Sequence, residues 1–140
     1  MLHLKKLCVG IKSFEMLQEW QHNELKCNRQ LFHTTRMKPK KINEILPDGS
    51  IYWIAKNKFF ARQKIIEFQD VIRRDGKSAC KIIFDKKLYK VAGIAHRPFQ
   101  GWRYLKRNKT PADIADPVTG TFDDDIPLEV QQKLLEVGLL

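Results

Sequence analysis

At 140 residues the chain is the size of one domain, and an apolar share of 43% is too high for a disordered one. Three scattered cysteines, an odd number, exclude a disulfide framework, and no apolar run reaches the roughly 18–20 residues of a membrane span. A net charge of +10, from 26 basic and 16 acidic side chains, points to a polyanionic partner rather than to an acidic, cation-binding surface.

The charge is uneven. Residues 112–140 hold seven acids and one base, so that segment is −6 and residues 1–111 carry +16. The expected organisation is a basic α+β core over 1–111, with an acidic C-terminal segment over 112–140 packed on the same domain. The start of the chain is too short and too charged for a signal peptide, so the cytoplasm is the expected compartment.

In chain order, Leu2 to Val9 reads as a strand ending at Gly10. Ser13 is a helix N-cap with Glu15 in the first turn. Phe14, Leu17, Trp20 and Leu25, with Met16, then form an apolar helical face to about Cys27. Leu31 to Arg36 reads as a strand and Lys41 to Leu46 as a short helical turn, stopped by Pro47-Asp48-Gly49. Ile51 to Ala55 is a strand, and Lys56-Asn57-Lys58 a hairpin connection because Asn tolerates positive φ.

Phe59 to Ile72 is the longest strand candidate. Its apolar phase changes at Ile65-Ile66, which predicts a β-bulge. Asp75-Gly76 predicts a type I′ hairpin into a strand that places Cys80, Ile82 and Phe84 on one face. A further extended segment covers Leu88 to Ala95. After Pro111 the composition turns acidic, and a last amphipathic helix is expected from Pro127 or Leu128 to about Val137.

The richest cluster is Arg97-Pro98-Phe99-Gln100-Gly101-Trp102-Arg103-Tyr104-Leu105-Lys106-Arg107. Cations interleaved with rings suit phosphates and unpaired bases. No acid lies between His96 and Lys109 to neutralise them. Phe99 and Trp102 read as core anchors, and Arg103, Lys106 and Arg107 as ligand-facing. If the segment is extended, the adjacent Trp102 and Arg103 point to opposite faces.

A second basic cluster, Arg36, Lys38, Lys40 and Lys41, surrounds Pro39 in a loop. A third is Lys56, Lys58, Arg62 and Lys64, of which Lys58, Arg62 and Lys64 share one strand parity. Ten of these side chains (Arg36, Lys38, Lys40, Lys41, Arg62, Lys64, Arg97, Arg103, Lys106 and Arg107) are the candidate nucleic-acid contacts. No zinc-ligand spacing occurs, no cofactor is implied, and the run Asp123-Asp124-Asp125 reads as a solvated acid cluster before the last helix. No catalytic residue is identifiable, and the absence of a motif does not exclude catalysis.

Thr35-Arg36-Met37-x-Pro-Lys, Gly49-Ser50-Ile51-Tyr52-Trp53-Ile54, Arg62-Gln63-Lys64-Ile65 and Arg97-Pro98-Phe99-Gln100-Gly101-Trp102-Arg103-Tyr104-Leu105 resemble an uncharacterised bacterial family. It is found mainly in alphaproteobacteria and classed as a domain of unknown function. The resemblance covers nearly the whole chain and implies a cytoplasmic single-domain protein with no stated activity. This chain departs from it with Asn57-Lys58 where a glycine turn is expected.

In order of elements the chain also resembles the PUA and ASCH class of RNA-binding pseudo-barrels. That resemblance implies a small curved, mostly antiparallel sheet with an N-terminal and a C-terminal helix. The expected function is nucleic-acid binding, RNA favoured, through a basic, aromatic-lined cleft. The alternatives are a nucleic-acid-processing enzyme and an adaptor that docks a protein.

Overall fold

Alternating apolar residues in the first strand and a capped amphipathic stretch after it set the opening of the fold. The computed structural model describes residues 1–28 and 30–119. Strand β1 (Leu2–Leu7) leads through a turn at Gly10 into helix α1 (Phe14–Asn28). The Ser13 hydroxyl accepts the Met16 N–H at 3.2 Å, the N-cap expected from the sequence. Leu17, Gln21 and Leu25, four residues apart, form the buried stripe of α1.

Met16 and Trp20, expected on that apolar face, are substantially exposed, Trp20 at 47%. The centre of the stripe is polar and satisfied: the Gln21 and Gln63 amides bond each other at 2.7 and 2.9 Å, and Gln63 also donates to the Asp85 carbonyl. A buried amide pair of this kind is tolerable because each group finds its partner.

Strand β2 (Leu31–Thr35), a one-turn helix α2 (Ile42–Ile45) and strand β3 (Ser50–Ala55) follow. Gly49, between α2 and β3, has no room for a side chain, since a Cβ there would collide with the Ile45 backbone and the Leu2 carbonyl. Two long strands, β4 (Lys58–Ile72) and β5 (Ser78–Lys90), form the spine. Strand β6 (Trp102–Lys106), a 3₁₀ turn (Arg107–Lys109) and the two-residue β7 (Val118–Thr119) complete the described residues. The C-terminal helix expected over 127–137 and the acidic run 123–125 lie outside them. No helix among the described residues is long and apolar enough to cross a membrane.

The strands form one sheet in the order β2-β5-β4-β3-β1-β6, with β7 beside β5. Among the described residues every pairing is antiparallel except β1 with β3. The class is therefore α+β with a mostly antiparallel sheet. Register shifts between Gln63 and Ile65 and between Ile65 and Glu67 bend the spine where the sequence phase changes.

The sheet curls but stays open, which departs from a pseudo-barrel. Strand β6 meets the loop after β2, at the other end of the strand order, through side chains instead of a ladder. The Trp102 indole on β6 donates to the Met37 carbonyl at 2.8 Å, and the Tyr104 hydroxyl accepts the Lys40 and Lys41 amides at 3.0 and 3.2 Å. The inner face holds the main core, including Leu4, Ile51, Trp53, Ala61, Ile65, Ile82 and Phe84 against α1. The outer face holds a smaller core of Tyr52, Ile54, Phe59, Val91, Phe99 and Leu105.

The hairpin connection at Lys56-Asn57 is the one expected, and the turn at Asp75-Gly76 differs from expectation. Lys56 and Asn57 both have positive φ (52° and 62°), so the connection between Ala55 and Lys58 has the signs of a type I′ turn without glycine. Between β4 and β5 only Gly76 has positive φ (81°), and its N–H bonds to the Arg73 carbonyl at 2.9 Å. The expected type I′ turn at Asp75-Gly76 is therefore a three-residue loop closed by a left-handed glycine. The two strands it joins are adjacent and antiparallel, with Ile72 opposite Ser78.

Candidate nucleic-acid interface

The ten candidate cations do not gather in one cleft. Sheet parity divides them. On β6, Trp102, Tyr104 and Lys106 share the inner-face phase, while Arg103 and Leu105 share the outer one. Arg36, Lys38, Lys40 and Lys41 lie on the loop after β2 that crosses to Trp102 and Tyr104. Arg62 and Lys64 lie on the outer phase of β4, opposite Tyr52 and Ser50.

Several of these cations already have partners. The Arg62 guanidinium makes a two-pronged pair with Asp113, both contacts at 2.7 Å. It also donates to the Ser50 hydroxyl at 3.1 Å and stacks on the Tyr89 ring at 3.9 Å. Asp113 holds Arg62 more firmly protonated than usual. Asp113 is placed by backbone bonds from residues 112–114 to the end of β5, including the Ile114 N–H to the Lys90 carbonyl at 2.9 Å. Lys38 pairs with Asp70 at 3.0 Å across an exposed surface, and Lys41 sits 5.7 Å from the Tyr104 ring centre.

The outer face carries a different arrangement, centred on a residue the sequence reading missed. Lys5 on β1 stands directly opposite Arg103 on β6. Like charges in directly opposed positions destabilise a ladder unless something neutralises them. Both lie over the buried Phe99 ring, at 5.8 and 4.9 Å. Lys5 Nζ reaches His96 Nε2 at 2.9 Å, and His96 Nδ1 lies 2.7 Å from the Arg97 carbonyl.

An ammonium only donates, so His96 accepts at Nε2 and carries its proton at Nδ1, which donates to Arg97. Partial burial, with the Arg103 charge adding, lowers the Lys5 pKa. No hydrogen bond or ion pair among the described residues joins a carboxylate to Lys5, Arg97 or Arg103. Arg107 continues the strip and borders an open hollow with His3, Tyr52, Arg62 and Asp113.

The aromatic lining expected of the cleft is spent elsewhere. Phe99 is 9% exposed, and Trp102 is half-buried with its indole bonded to Met37. Rings committed to packing leave the cations to carry the surface. Lys5 gave no sequence signal because it belongs to no basic cluster near β6 in the chain. Only the β1–β6 pairing brings it there. Among the described residues no three His, Cys, Asp or Glu side chains converge as a metal site would require.

No curated protein and no solved structure matches this chain. Residues 4–140 match the family model described as Protein of unknown function (DUF1489). The chain belongs to that family.

Proposed function

We propose that this protein binds single-stranded nucleic acid, RNA in preference, along the outer face of the sheet through Lys5, Arg97, Arg103 and Arg107. The observation that carries this reading is the opposed pair of Lys5 and Arg103, without a carboxylate partner among the described residues. A phosphate between them turns a repulsive cross-strand pair into two attractive contacts. The +16 charge of residues 1–111 supplies long-range attraction for the same partner. RNA is favoured over DNA on the resemblance, in the sequence's order of elements alone, to PUA and ASCH domains, whose pseudo-barrel this open sheet does not share. With the rings packed inward, recognition is directed at the backbone and is weakly selective for sequence.

Titration of a labelled single-stranded RNA and the matching DNA at several salt concentrations tests this. If about three phosphates are neutralised, log K falls against log salt with a slope of about −2. No binding at low salt, or binding indifferent to salt, refutes the reading.

A further inference from the structure

A second site lies on the other side of the sheet. A cavity of about 220 Å³ opens between α1 and the inner face, lined by Lys6, Cys8, Leu17, Trp20, His33 and Trp53 among others. For scale, an apolar cavity of about 150 Å³ accommodates benzene. This one therefore has room for a single ring carrying one small substituent. Its walls are mainly aliphatic and aromatic, and among the described residues they include no carboxylate.

Two polar groups in that wall, the Lys6 ammonium and the Trp53 indole, are pure donors. Lys6 is half-buried on β1, with Trp53 and Trp102 as its neighbours on the flanking strands. No hydrogen bond or ion pair among the described residues engages its ammonium. Trp53 is 6% exposed, and its indole N–H is buried without a hydrogen-bond partner among the described residues. Unpaired buried donors are rare in native proteins and call for an explanation. Trp20, the largest apolar side chain of α1, lines this cavity with nearly half its surface exposed, so a molecule entering there would cover it.

We propose that this cavity binds a small monoanion built on one aromatic ring, an aryl carboxylate, with its ring among the apolar walls and its carboxylate on Lys6. Burial lowers the Lys6 pKa, so an anion alongside restores stabilisation that desolvation removes. Burial also pushes the Cys8 thiol up to about 12 and, with the Lys6 charge adding, the His33 imidazole down to about 4. At neutral pH Cys8 is a thiol and His33 is uncharged. The site is thus suited to reversible binding, with one cation among the described residues of its wall to match one negative charge.

Benzoate and its neutral isostere benzamide are the probes, read by tryptophan fluorescence and by the indole N–H resonance of Trp53. The resonance is assigned with Trp53→Phe. Benzoate is expected to bind saturably, at least tenfold tighter than benzamide, and to shift the Trp53 resonance. Lys6→Met should abolish the preference by weakening benzoate far more than benzamide, and Lys6→Arg should retain it. No saturable binding at millimolar benzoate, equal affinity for the two probes, or a preference that survives Lys6→Met overturns the proposal. The comparison on the unaltered protein decides even if a variant fails to fold, and none of these outcomes bears on RNA binding at the opposite face.

Discussion

Arg62 and Lys64 stand two residues apart on the same face of β4, yet their circumstances differ. Asp113 reaches Arg62 from 51 positions along the chain, while Lys64 remains exposed. Adjacent residues diverge as sharply at Trp102 and Arg103, which the extended backbone sends to opposite faces. Trp102→Ala is expected to cost about 2–3 kcal/mol, below the range for a fully buried tryptophan, by opening a partial cavity and releasing the loop held at Met37. Arg103→Ala should stay within about 0.5–1 kcal/mol, because its contact with Phe99 is a solvated cation–π pair. The same change should weaken RNA binding and flatten its salt slope. Urea melts beside a binding titration measure both, and an Arg103→Ala chain that unfolds while its folded fraction binds normally removes Arg103 from the site.

His33 titrates in a way that stability can report. Its imidazole is held down to about 4 from an ordinary 6.5, chiefly by burial and then by Lys6. The unfolded chain therefore takes up a proton that the folded one refuses. The stability this represents is complete above about pH 6.5 and drains away as the pH falls towards 4. Because the ring is only half-buried, solvent screening reduces the effect to about 1–2 kcal/mol. His3 acts in the same direction, through burial first and the Arg62 charge second. Urea melts between pH 7.5 and 4.5 should show the decline, with a smaller one in His33→Gln; identical slopes in the two proteins would contradict it.

At the scale of elements, local chemistry was most legible where one residue type has one dominant use. The Ser13 cap, the phase change at Ile65-Ile66 and the alternation of Cys80, Ile82 and Phe84 all appear as read. The turns were less legible. Asp-Gly is compatible with two loop lengths, and the pairing of Arg73 with Lys77 selected the longer one. At Lys56-Asn57 strand pairing holds two side-chain-bearing residues in a left-handed conformation that costs L-residues roughly 1–2 kcal/mol each. Replacing them by Asn-Gly should raise stability by about 0.5–1 kcal/mol, since glycine returns part of the gain as lost chain entropy. Denaturant midpoints check this, and a lower midpoint would mean that Lys56 or Asn57 contributes contacts beyond the turn.

At the scale of the whole molecule, the sheet separates clusters that look alike in the sequence. The loop cations Lys40 and Lys41 and the outer-face cations Lys5 and Arg103 differ little in charge, but they stand on different sides of the molecule. Lys5→Glu with Arg103→Glu should therefore reduce RNA affinity at least tenfold, and Lys40→Glu with Lys41→Glu only a few-fold, through the loss of long-range attraction. Equal losses from the two pairs would mean that net charge alone governs binding. By itself the sequence determined the α+β class, the charge, the capped first helix and the bulged spine, because each follows from periodicity or from the chemistry of a few neighbouring residues. The tertiary structure alone decided that the sheet stays open, that Arg62 is neutralised by Asp113, and that Lys5 faces Arg103 while Lys6, one position on, faces the cavity. Those outcomes depend on which distant strands pair and in what register, and a one-residue change of register exchanges every side chain between the two faces.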